Sequence, residues 1–131
     1  MNTKIDKILA EISAGELIDK ITILEIKKIK ITDTKKLKEV DKELISLNNT
    51  MKNFIKDESV IVNLKEKLKE INLKLWDIED GKRNAERNND FGKKFIELAR
   101  NVYKFNDERA KIKSEINLIL NSNIREVKSH F

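Results

Sequence analysis

The chain of 131 residues has no cysteine and no proline, one histidine, three glycines, and few aromatics: five Phe, one Trp and one Tyr. Without cysteine, neither a disulfide nor a thiolate metal site can form. The one histidine, His130, lies at the end of the sequence, so neither a histidine-based triad nor a two-histidine metal site is expected. Absence of proline beside abundant Lys, Glu, Leu and Ile points to an all-helical protein. No apolar run reaches the roughly 18–20 residues that span a bilayer, so no membrane span is expected. The opening MNTKIDKILAEIS has acids within its apolar part and no secretory hydrophobic region, which favours a cytoplasmic location.

Charge is what the chain has in quantity. Charged residues make up 39% of it, and 28 basic against 23 acidic side chains leave a net charge of +5. Most are interleaved, the pattern of a solvated helix surface with i,i+4 pairs. The exception is Lys27, Lys28, Lys30, Lys35, Lys36 and Lys38, interrupted only by Asp33. This cluster is a candidate for nucleic acid or an anionic surface, but it contains neither arginine nor an aromatic residue.

Apolar periodicity and turn residues predict one helical domain over 1–131. A short lead-in helix is expected in 1–12, followed by Ser13-Ala14-Gly15-Glu16 as a capping box, with Glu16 reaching back. Helices follow at 14–31, 35–55, 60–87 and 91–120, with Asp90 capping the fourth and a tail over 121–131. The β-branched ITILEIKKIKI also admits a strand, but its capping box and charged turns favour helix. The architecture expected is a long antiparallel hairpin of the third and fourth helices with two shorter helices packed on it, bundle-like. Long seams incompletely covered by the short helices suggest a homodimer.

On the fourth helix Phe91, Phe95, Leu98, Val102, Phe105, Arg109, Ile112, Ile116 and Ile119 follow a heptad rhythm, with Arg109 alone breaking the apolar seam. A buried arginine requires a partner. The turn at Asn88-Asn89-Asp90 makes facing residues sum to about 178, so Glu70 is the first candidate, with Glu16, Asp19 or Glu25 as alternatives. Beside the seams run Asn72, Trp76, Glu79 and Arg83 on one helix, and Ala99, Tyr103, Asn106, Ala110, Lys113 and Asn117 on the other. Trp76 and Tyr103 are expected to face each other.

These stripes have two readings. One is a shelf for the short helices held by a structural polar network. The other is a pocket for an anionic or sugar-like ligand, with Arg100, Arg109, Lys113 and Asn106 as donors, Glu79 and Asp107 as carboxylates, and Trp76 as a platform. Asp77-Ile78-Glu79-Asp80 could hold Mg²⁺, but one helical turn spreads its carboxylates over different faces, so no cofactor is assigned. Glu16-x-x-Asp19 and Asp77-x-x-Asp80 have the spacing of helical nucleotide pyrophosphatases without their two-glutamate first motif. Arg125-x4-His130 has that of helical ribonuclease-like toxins but falls outside any expected helix. The three glycines are isolated, and none forms a phosphate loop.

Three ordered segments, GELIDKITILEIKKIKI (15–31), LKEINLKLWDIED (68–80) and FIELARNVYKFNDERAKIKSEIN (95–117), resemble a family of small bacterial proteins classed as a domain of unknown function. Its pattern runs S-x-G-E-L-I-D-K-x-T-I-L-E-I-K, then L-W-x-I-E-D, then A-R-x-V-Y-x-x-N-D-x-R-A-x-I-K-x-x-I-N, with an E-x-K-S ending. The resemblance implies signature positions at Glu16, Asp19, Lys20, Glu25, Trp76, Glu79, Asp80, Arg100, Tyr103, Asn106, Asp107, Arg109, Lys113 and Asn117, and a link to surface-polysaccharide metabolism. The first functional expectation is a binding or accessory protein with a charged groove between the first helix and the hairpin. The second is a small enzyme on an anionic metabolite or nucleotide-sugar, with Glu79 or Asp107 as acid or base and Arg100, Arg109 and Lys113 holding the anion. The third is nucleic-acid binding through Lys27–Lys38.

Overall fold

A computed structural model describes residues 3–130. Its elements are α1 (Ala14–Lys30), α2 (Thr34–Phe54), a 3₁₀ turn (Glu58–Ile61), α3 (Val62–Arg87) and α4 (Lys93–Ile119), with no strand among the described residues. α3 and α4 form the antiparallel hairpin, and the expected register holds: a Cβ on Gly81 would meet the Leu98 side chain at 3.2 Å. α1 is the central element, packed against α2, α3 and α4, whereas the backbone of α2 approaches α1 alone. One core results, from Ile18, Ile21 and Leu24 of α1, Val40, Leu44 and Met51 of α2, Leu64, Leu68 and Ile71 of α3, and Ile112 and Ile116 of α4.

The helix ends follow from their residues. Asp33 caps α2 by accepting from the amides of Lys35 (2.9 Å) and Lys36 (3.2 Å), and Asp57 caps the 3₁₀ turn through Ser59. α3 and α4 close alike. Asn89 and Asn121 take left-handed φ of 52° and 50°, and the next amides, of Asp90 and Ser122, reach back to Ala85 and Asn117 (2.9 and 2.8 Å). Asparagine tolerates that conformation, which suits it to this stop.

Several expectations are corrected. Residues 3–13 form no lead-in helix, and Met1 and Asn2 lie outside the described residues, as does Phe131 of the tail. Ile5, Ile8 and Leu9 are exposed, and so short a helix with nothing to bury against is unstable in water. Asp90 does not cap α4. Gly92 occupies the cap position, and Asp90 accepts from the Gly92 amide instead (3.3 Å). Both ends of the expected seam, Phe91 and Ile119, are exposed; Phe91 lies at the end that α1, with 17 residues against the 27 of α4, does not reach.

Candidate functional site: a polar network where α1 crosses the hairpin

The N-terminus of α1 docks on the C-terminal half of α4, and each free amide there finds an acceptor. Ala14 donates to Ser122 Oγ (3.0 Å), Gly15 to Asn117 Oδ1 (2.7 Å) and Glu16 to Ser13 Oγ (3.0 Å). Gly15 permits this approach, since a Cβ there would meet the Lys113 carbonyl oxygen at 2.5 Å. Only half the capping box forms: the Glu16 carboxylate pairs with Lys113 Nζ at 2.5 Å rather than reaching back.

One turn further, Asp19 is completely buried. The Arg109 guanidinium donates to both its oxygens, through Nε to Oδ1 at 2.9 Å and through Nη2 to Oδ2. Asn72 Nδ2 donates to Asp19 Oδ1 and Thr22 Oγ1, each at 2.9 Å. A two-point arginine–carboxylate pair with further hydrogen bonds is the arrangement in which a buried charge is tolerated. The hydrogen bond to Asp19 raises the Arg109 pKa further, against the opposing effect of burial. Glu70, the first candidate partner, is exposed on the outer face of α3; the Asp19 alternative is the one realised, because α1 crosses the hairpin at this level.

Beyond α4 the chain turns back over the network. Glu126 accepts from Ser13 Oγ and from Asn117 Nδ2 (3.1 Å) and lies 4.0 Å from Lys113 Nζ, while Lys128 pairs with Asp107 at 3.5 Å. Burial pushes the Glu126 carboxyl up, but hydrogen bonds from Ser13, its own backbone amide and Asn117, with the Lys113 charge, together hold it below its ordinary value of 4.5.

Two grooves flank this network, and Arg109 lines both. One, of about 410 Å³, runs along Asn106, Ala110, Lys113 and Asn117 to the returning strap at Glu126, Val127 and Lys128. The other, of about 390 Å³, lies between α1 and α3, with Ile23, Ile26 and Leu75 on its apolar side and Asn72, Trp76, Glu79, Asp80 and Arg83 on its polar side.

Of the sequence candidates, Glu16, Asp19, Asn106, Arg109, Lys113 and Asn117 come together at the α1–α4 contact, and Trp76 and Glu79 join Arg109 in the α3 groove. Others do not gather there. Lys20 is exposed and 3.7 Å from Glu16, and Glu25 pairs with Lys65 and Lys69 (3.8 and 3.7 Å) on the far side of α1. Arg100 is exposed. Tyr103 is 57% exposed and makes no ring contact with Trp76; the aromatic pair among the described residues is Phe91–Phe95. Arg125 lies in the non-helical tail, bonded to Asn121 and the Ser122 carbonyl. Among the described residues no three carboxylate or histidine side chains gather as a metal site, and no helix is long and apolar enough to cross a membrane. Sequence reasoning did not assign roles to Thr22, Arg83, Glu126 and Lys128. The E-x-K-S ending of the resembled pattern was the signal for the last two.

Fold and site together define a small all-helical protein organised round a buried arginine–carboxylate network. The chain belongs to DUF6165, a family of unknown function whose model matches residues 8–131. No curated protein and no solved structure matches it.

Proposed function

We propose that this is a cytoplasmic helical binding or accessory protein whose grooves beside Arg109 take an anionic, sugar-like ligand. The observation that carries this reading is the position of Arg109. Of its five N–H donors, two serve Asp19 and one reaches Asn106 at 3.5 Å. Two remain, on a side chain that is 29% exposed and borders both grooves. A guanidinium fixed in orientation by a buried carboxylate is preorganised for an anion's oxygens. Trp76 offers a ring face beside it, and Glu79 and Asp80 can accept from hydroxyl groups. A sugar nucleotide or sugar phosphate fits this chemistry, in keeping with the polysaccharide link that the family resemblance suggests.

Binding is favoured over catalysis by where the candidate acids lie. Glu79 borders only the α3 groove and pairs with Lys82 at 3.3 Å; Asp107 borders neither groove and is held by Lys128.

The test is thermal unfolding of wild type, Trp76→Ala and Arg83→Glu with nucleoside diphosphates, sugar nucleotides and sugar phosphates, with and without Mg²⁺. A ligand at a hundredfold excess over its Kd stabilises by about 2.7 kcal/mol. One of these classes is expected to raise the wild-type Tm, with most of the rise lost in folded Trp76→Ala. If no class shifts wild type, the grooves are not a ligand site; if Trp76→Ala responds as fully, the groove between α1 and α3 is not where the ligand sits.

A further inference from the structure

The whole net charge of the molecule sits in one turn. Residues 27–38 hold six lysines and one aspartate, a net +5 that equals the net charge of the chain, so the remainder is balanced. This segment is the end of α1, the connection Ile31–Asp33 and the start of α2, and Lys28, Lys30, Lys35, Lys36 and Lys38 are all exposed. Among the described residues only Lys28 of the six makes an ion pair, with Asp41 at 3.3 Å. Asp33, the one acid in the segment, is engaged by the amides of Lys35 and Lys36 as the α2 cap. Glu39 and Glu43 lie further along α2, beside Lys27 and Lys42. Between Lys28 and Lys30 stands Ile29, 70% exposed, and Ile31 is half-buried.

From this arrangement we propose that the α1–α2 turn is a docking surface for an anionic lipid bilayer, with the lysines lying among the headgroups and Ile29 entering the interface. Exposed lysines on both sides of the turn, with an exposed aliphatic side chain between Lys28 and Lys30, match a surface that is negative outside and apolar just beneath. Long lysine stems let the ammonium groups stay at headgroup level while an apolar neighbour goes deeper. Nucleic acid fits the turn less well. It has no arginine to fork onto phosphate or guanine and no aromatic ring on which bases could stack, and it leaves the isoleucine unexplained. The proposal does not use the Arg109 grooves, neither of which is lined by a residue of 27–38.

Co-sedimentation of the full chain with phosphatidylcholine vesicles, and with the same vesicles containing phosphatidylglycerol, tests it. Binding is expected only to the anionic vesicles and should fall steeply as salt is raised. Each lysine near such a surface is worth about fivefold in partitioning, so the double variant Lys35→Gln, Lys36→Gln should lose about 30-fold. Ile29→Ser should weaken partitioning severalfold and leave its salt dependence intact. All three positions are exposed, and unchanged circular dichroism confirms that the variants fold. Equal binding to neutral and anionic vesicles, or undiminished binding by the double lysine variant, overturns the proposal. So does tighter binding to duplex DNA than to anionic vesicles at the same salt, and an Ile29→Ser variant that partitions like wild type removes the inserted residue.

Discussion

Replacing a helical glycine by alanine ordinarily stabilises a protein by about 0.5–1 kcal/mol. At Gly15 the sign should reverse, because the added methyl would meet the Lys113 carbonyl and the Asn117 amide oxygen. Gly15→Ala is expected to lower stability by about 1–3 kcal/mol, read as a lower urea midpoint at unchanged slope. Asp19 and Arg109 make a second prediction at this scale. Arg109→Ala strands a completely buried carboxylate and should cost about 3–5 kcal/mol. Arg109→Lys should recover little of it, since an ammonium cannot reproduce the two parallel hydrogen bonds. Replacing both partners, as Asp19→Leu with Arg109→Met, should be far less damaging than Arg109→Ala alone, and a double-mutant cycle in urea measures the difference. That Arg109 needed a carboxylate was legible from its place in an apolar seam. Which carboxylate was not: the hairpin register put Glu70 first, and only the placement of α1 across the hairpin selects Asp19 from the alternatives Glu16, Asp19 and Glu25.

The C-terminal strap is an element held chiefly by side chains. Glu126 joins it to Ser13, Asn117 and Lys113, and Lys128 joins it to Asp107. Because the docked Glu126 has a pKa below its ordinary value of 4.5, its contribution to docking is fully present above that pH. It is lost as pH falls through the lower, docked value, where protonation removes the pairing with Lys113. The protection of residues 122–128, taken relative to intrinsic amide exchange at each pH, should therefore fall selectively on acidification below about pH 4.5. Glu126→Gln should show the lower protection already at neutral pH, with little further change in protection on acidification; a strap equally protected in that variant would refute the account. The asparagine stops at Asn89 and Asn121 were visible in the sequence, because a left-handed residue is a local requirement. The path of the strap was not, because it depends on groups more than a hundred residues away at the start of α1.

Across the whole molecule, stability should be graded along the hairpin. α1 covers the levels of α3 and α4 that carry Leu68, Ile71, Ile112 and Ile116, while Phe91, Ile96 and Tyr103 beyond it remain exposed. Hydrogen exchange should proceed slowest, near the global unfolding limit, in α1 and the levels it covers, and faster by local opening in residues 83–97. Uniform protection along α3 and α4 would mean that another surface, such as a second copy, covers that end. The four helices and their hairpin register were readable from the chain, because periodicity, caps and turn residues act over a few positions. Absence of proline and the interleaved charges pointed to an all-helical fold, although ITILEIKKIKI alone also admitted a strand. Two things were not readable: the choice of Asp19 over Glu70, and the division of the polar stripe into a docking network and two grooves. Each depends on where α1 crosses the hairpin, and that crossing is set by the packing of side chains distant in sequence, for which a local pattern carries no record.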